Sequence, residues 1–199
     1  MSERGLSVDH TTVYRWVQAY APELEKRTHP HLKLTNDSWR VDETYIKVRG
    51  KWKYLYRAVD SAGNTIDFML SAKRDGRAAK RFFCKAINAT HTQLPRVINV
   101  DKNAAYPTAV NELKTAEIMI QSIELRQNKY LNNLLEQDHR FIKRLINPGL
   151  GFKSFYTARR TIIGYETMNM IRKGQVKGVS KGELVSQVKF IADIFGVVA

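Results

Sequence analysis

A chain of 199 residues has room for one medium domain and a small appendage, and a hydrophobic share of 43% is ordinary for a folded globular protein. The charge is not ordinary: 33 Lys and Arg against 19 Asp and Glu leave a formal net charge of +14, the balance of a protein that meets a polyanion, because each neutralised phosphate releases condensed counterions. The single Cys84 excludes a disulfide framework and a zinc finger on paired cysteines and points to a reducing cytosol, while neither a long apolar run, a basic amphipathic anchor nor an apolar leader in MSERGLSVDH argues for a membrane or a secretory route.

Residues 1–27 read as one or two short helices, the clearer being VDHTTVYRWVQAYAPEL, with Asp9 or Thr11 as its cap and Val13, Trp16, Val17 and Tyr20 at helical spacing. Residues 28–37 are polar, contain Pro30 and read as a linker. From Ser38 the pattern turns to strands: WRVDETYIKV, KYLYRAVD and TIDFMLSAK, joined by connections short enough to force an antiparallel meander. Asp75 is placed to cap a helix over RAAKRFFCKAINAT that buries Ala79, Phe82, Phe83 and Ala86. PRVINVD is apolar enough for a central strand. A helix around YPTAVNELK, a short strand near IELRQ, helices from about Asn132 to Ile146 and from about Ser154 to Lys173, and an amphipathic tail over GELVSQVKFIADIFGV complete the order. Three hairpin strands followed by alternating helix and strand predict an α/β fold on a mixed sheet with flanking helices.

Three acids stand out against this pattern. Asp42 lies inside a strand, where a carboxylate is disfavoured without a partner. Its neighbour Glu43 is expected on the opposite face by alternation, so that only one of the two serves a given site. Asp101 ends PRVINVD, at the carboxyl end of a strand, where open α/β sheets place ligands. On the helix LLEQDHRFIKRLI, a 100° step puts Glu136, Arg140 and Lys143 in one sector and Leu134, Phe141 and Leu145 opposite. Each acid has an ordinary alternative: a turn or cap for Asp101, an ion pair with Arg57 for Asp42, a solvated pair with Arg140 for Glu136. Together, two strands and a helix offering three carboxylates suit hard cations such as Mg²⁺ or Mn²⁺, which keep positions open for substrate phosphate. Two such ions about 4 Å apart activate the attacking oxygen and stabilise the leaving one in phosphodiester transfer. His139, beside the third acid, reads as a structural or phosphate-contacting residue rather than a ligand.

At these residues the sequence resembles a known family. VDETYIKVRGKWKYLYRAVDSAGNTIDFMLS, VINVDKNAAYPTA, RQNKYLNNLLEQDHRFIKR and GFKSFYTARRTIIGYETMNMIRKGQ are similar, in order and spacing, to the DDE transposases of bacterial insertion sequences, in insertion-sequence family six, from about Ser7 to Gln175. The resemblance implies an RNase H-like, integrase-like core over 38–175, preceded by a DNA-binding segment over 1–27 and the 28–37 linker and followed by a helical tail over 176–199. It implies DNA cleavage and strand transfer at terminal inverted repeats, with two Mg²⁺ ions (Mn²⁺ as a substitute) on Asp42, Asp101 and Glu136. The 34 residues between the last two acids match the family's spacing, and Lys143 takes its basic position seven after the glutamate. Asp60, Asp67, Asp75 and Asp138 fall outside the catalytic positions, and turn, cap or ion-pair roles suffice for them.

The expected partners are element-end and target DNA, engaged by a homo-oligomer in the bacterial cytoplasm at the nucleoid, with neither a membrane nor a small-molecule substrate. Lys143 and Arg140, extended by Arg159 and Arg160, are the expected phosphate contacts. Thr12, Tyr14 and Arg15 are the base-reading candidates of a partial, N-terminally shortened helix-turn-helix whose bracing helix is mostly absent. That shortening predicts DNA binding with little preference for terminal repeats. It also leaves a second reading open, a truncated DNA-binding remnant that lacks transposition activity and interferes with full-length copies.

Overall fold

The computed structural model describes residues 8–128 and 133–197; the side chains of 133–138 and of Pro148 lie outside that description. Two compact units emerge, residues 33–152 and, separately, 8–32 with 153–197.

Alternation builds the sheet of the first unit. Strand β1 (Ser38–Val48) pairs antiparallel with β2 (Lys51–Asp60), and β2 with β3 (Thr65–Ser71). β4 (Val97–Val100) lies parallel to β1, and β5 (Glu124–Gln127) parallel to β4, giving the order β3-β2-β1-β4-β5. One face is covered by α2 (Gly76–Ile87) and α3 (Ala105–Thr115). There Trp39, Val41, Tyr56 and Ala58 from the hairpin meet Phe82, Phe83 and Tyr106 in a fully buried cluster. Side chains of this size contribute about 1.5–3 kcal/mol each when removed from water. Asp75 caps α2 as its position predicts, accepting the Ala78 N–H at 2.8 Å. Asp60 takes the turn role, accepting from Ala62 and Asn64 N–H, and Asp67 is ion-paired with Lys85.

The other face of β1 and β2 packs against α4 (Asn133–Ile146). Its buried seam is not the one expected. His139, Ile142 and Ile146 face the sheet, Phe141 is half-buried and Leu145 is 39% exposed. The helix is therefore turned about a third of a turn from the orientation its most apolar sector suggests. By the 100° step, backbone position 136 flanks this seam instead of lying opposite it. The available partner surface, not intrinsic apolarity, sets a helix's rotation.

In the second unit, α1 (His10–Thr28) packs along α5 (Phe155–Arg172), with α6 (Leu184–Phe195) nearby. Asp9 caps α1 by accepting from Thr11 and Thr12 N–H, and Ser154 caps α5 by accepting from Thr157 N–H. The crossing is close. A Cβ on Gly164 would come 2.9 Å from the Ala21 Cβ, and Gln18 donates to the Thr161 hydroxyl at 2.8 Å. No helix among the described residues is long and apolar enough to cross a membrane.

Candidate active site

The hairpin and the parallel strand beside it create the site. β4 pairs with β1 only over Ser38–Arg40 and then stops, so among the described residues β1 continues past it with that edge unpaired until Lys47, where Phe152 bonds to it. Asp42 lies just beyond this point, and Asp101 directly follows β4. Carboxylate oxygens of Asp42, Glu43 and Asp101 come within 4.8 Å of one another. Alternation does send Glu43 toward the α2–α3 face, but at the free edge its carboxylate still reaches the other two. The expectation that only one of the adjacent pair can join a site is thereby corrected.

Glu43 is nonetheless already engaged. It is buried and ion-paired with Arg74, whose Nε donates to Oε1; the Tyr106 hydroxyl donates to Oε2; and Asn103 Nδ2 donates to Oε1 at 3.4 Å. Arg74 also reaches Asp101, Nη2 donating to Oδ2 at 3.2 Å, and the Asn103 N–H donates to the other Asp101 oxygen at 2.9 Å. Arg74, Asn103 and Tyr106 are the residues sequence reasoning missed. The hydroxyl of Tyr106 is held well above the ordinary phenol range by burial and by the Glu43 charge.

Asp42 behaves differently. Among the described residues it accepts one bond, from the Glu43 N–H at 2.8 Å. Burial, followed by the Glu43 and Asp101 charges, pushes its carboxyl up to about 7, against the pull of the Glu43 N–H and Arg74. A carboxylate whose neighbours oppose its own charge is short of a cation. The donor set is all oxygen, the chemistry of a hard divalent ion, so these residues fit a metal.

Glu136 sits on α4, over the sheet face that Asp42 shares; its side chain lies outside the described residues, as does Asp138's. Behind it, His139 is buried, and burial together with the charges of Arg57 and Lys143 pushes its imidazole down to about 3, so it stays neutral at physiological pH. That agrees with a structural role. Lys143 and Arg140 are exposed on the same helix. Arg159 and Arg160 belong to α5; Arg159 is exposed, and Arg160 is half-buried with its guanidinium 5.1 Å from the Tyr156 ring centroid. Thr12 is half-buried on α1, with Tyr14 and Arg15 exposed.

A mixed sheet in this order, with acids gathered where its central parallel strand ends, is the RNase H-like architecture of polynucleotidyl transferases. Comparison with known proteins agrees. A family model described as a DDE domain, of the IS240 type of transposase, matches residues 36–175. The transposase for insertion sequence-like element IS431mec of Staphylococcus aureus is 40% identical over 178 residues, covering 87% of this chain and 75% of that protein. The transposase for insertion sequence element IS257 in transposon Tn4003, also from S. aureus, is 40% identical over 175 residues, covering 85% and 73%. Among solved structures, the catalytic core domain of BIV integrase is similar in fold, with a TM-score of 0.51 at 12% identity, covering 79% of this chain and 97% of that one. A chain of the simian T-cell lymphotropic virus intasome, solved with a PP2A regulatory subunit, gives 0.50 at 17% identity, covering 68% and 49%. The chain belongs to the DDE transposases of bacterial insertion sequences, in insertion-sequence family six.

Proposed function

We propose that this chain cuts and joins DNA at the terminal inverted repeats of an insertion sequence, with Asp42, Asp101 and Glu136 as its metal-holding acids. The observation that carries the reading is the convergence of Asp42 and Asp101 at the free edge of β1, beside the helix bearing Glu136. Two Mg²⁺ ions bound there, or Mn²⁺ in their place, would activate the attacking oxygen and stabilise the leaving one. Asp42 would hold metal most readily, because among the described residues it has no cation as close as the one held by Glu43. Arg74 keeps Glu43 and Asp101 oriented, and Glu43 braces the site while its oxygens stay committed to Arg74 and Tyr106.

Lys143 and Arg140 hold strand phosphate, and Arg159 and Arg160 of the other unit are further phosphate contacts. Thr12, Tyr14 and Arg15 face the DNA from α1. A homo-oligomer assembled on element ends and target DNA in the bacterial cytoplasm, at the nucleoid, is the expected working form. The test joins labelled repeat-end duplexes to a supercoiled plasmid. Joined products should form with Mg²⁺ or Mn²⁺ and vanish in EDTA. Binding of the duplex without joining, in either metal, would instead support a DNA-binding remnant.

A further inference from the structure

Toward its turn, the β1–β2 hairpin runs out of helix cover on the face that carries Glu43. Tyr45 stands opposite Tyr54 there, and Lys47 opposite Trp52. The Tyr45 ring lies 5.4 Å from Tyr54 and 6.2 Å, edge to face, from Trp52; the Lys47 ammonium lies 6.0 Å from the Trp52 centroid. Tyr45 is 46% exposed and Trp52 59%. Folding gains little from large rings left in water as neighbours, so their clustering calls for another cause.

These rings border a cleft of about 280 Å³, just under the size range of drug-sized pockets and so on the scale of a single ring system. Its far wall is Lys143, Ile146 and Leu150. The floor is built tightly: the Phe152 N–H donates to the Lys47 carbonyl at 2.9 Å and the Arg49 N–H to the Phe152 carbonyl at 2.8 Å. At Gly151, φ is 102° and a Cβ would fall 2.6 Å from the Lys47 oxygen, so only glycine lets the two backbones meet. At the lip, Leu150 is a non-glycine residue at φ 55° and is 88% exposed. A strained backbone that holds an apolar side chain in water is a feature that marks functional loops.

We propose that this cleft takes one unstacked nucleobase of the DNA strand being processed. Trp52 and Tyr45 offer the stacking surface, Lys47 and Lys143 neutralise the phosphates on either side, and Leu150 fills the gap left in the stack. The inference rests on the strand-transfer reading above. Charge argues for a nucleic acid strand over a second copy of this cationic chain: among the described residues the lining carries two lysines and no acid, and Arg49, Lys51 and Lys53 flank it on the hairpin. Tyr45 follows Asp42 by three residues, roughly 10 Å along the strand and on its other face, so the cleft lies within reach of a strand a few nucleotides from the acids. An unpaired base is required because a duplex presents no free π-face to a side chain.

The test is binding in EDTA at fixed salt, by fluorescence anisotropy, to a short labelled oligothymidylate and to a duplex of equal length. Trp52→Ala should weaken the single strand about five- to a hundredfold, the range for loss of one base–aromatic stack, and leave duplex affinity unchanged. Trp52→Phe should keep most of the single-strand affinity, and thermal melting should be unaltered because the ring is exposed. Unchanged single-strand binding, or equal losses on both probes, would overturn the assignment. So would a loss of self-association in sedimentation with DNA affinities intact, which would make the rings a contact between copies. Because no joining is scored, this result is independent of whether the wild-type chain transfers strands.

Discussion

Asp42 shows most directly how far its surroundings shape a single side chain. Its folded carboxyl titrates near 7 against an ordinary value of 3.8, because burial and the neighbouring Glu43 and Asp101 charges penalise ionisation. A carboxyl raised on folding stabilises the chain fully below its unfolded value and loses that contribution as pH climbs through the folded one. Without metal, stability should therefore fall between about pH 4 and pH 8. The displacement corresponds to at most about 4 kcal/mol, and water at the partly open edge reduces it. Asp42→Asn should raise stability by about 1–3 kcal/mol at pH 8 and by little at pH 4, as read by urea unfolding in EDTA at both values. Equal effects at the two pH values would show that the neighbours do not oppose the charge. Asp42 and Asp101 were legible in the sequence because a carboxylate inside a strand and another at a strand's carboxyl end are both anomalous. The engagement of Glu43 was not, since its partners Arg74 and Tyr106 lie 31 and 63 residues away and no local pattern joins them.

Elements differ in how much of them is local. The hairpin strands, α2 with its Asp75 cap, and the parallel β4 follow from alternation, turn residues and a cap, all within a few residues, and each sits where the sequence predicts. The rotation of α4 depends on which surface it meets, so the apolar sector Leu134–Phe141–Leu145 misleads while His139, Ile142 and Ile146 become the seam. For α1 the sequence pointed to Val13, Trp16, Val17 and Tyr20 as a face in need of a partner. They border a groove with Gly164, Tyr165, Met168, Ile191 and Phe195 of α5 and α6, although Trp16 and Tyr20 stay about half exposed. Contact between the two helices depends on Gly164 facing Ala21. Gly164→Leu should separate the helices and cost about 1–3 kcal/mol, the range for overpacking, measured by thermal unfolding. No loss of stability would mean that α1 does not hold this position against α5.

At the scale of the whole molecule, the +14 charge was the first functional signal and the least specific. It speaks for a polyanion without saying where one binds; the acids and the family then make it DNA. Phosphate contacts weaken affinity on every sequence alike and set the salt dependence. Lys143→Ala should accordingly lower duplex affinity uniformly and reduce the slope of log affinity against log salt by about one; an unchanged slope would return Lys143 to the solvated surface.

The proposed third acid is Glu136 rather than Glu43, whose carboxylate lies beside those of Asp42 and Asp101. Strand transfer from labelled repeat ends, with duplex binding measured alongside, decides it. Asp42→Asn, Asp101→Asn and Glu136→Gln should each abolish Mg²⁺-dependent joining while DNA binding persists, and Glu43→Gln should slow joining without abolishing it. Joining by Glu136→Gln near the wild-type rate, with none by Glu43→Gln, would contradict the account and assign the third position to Glu43.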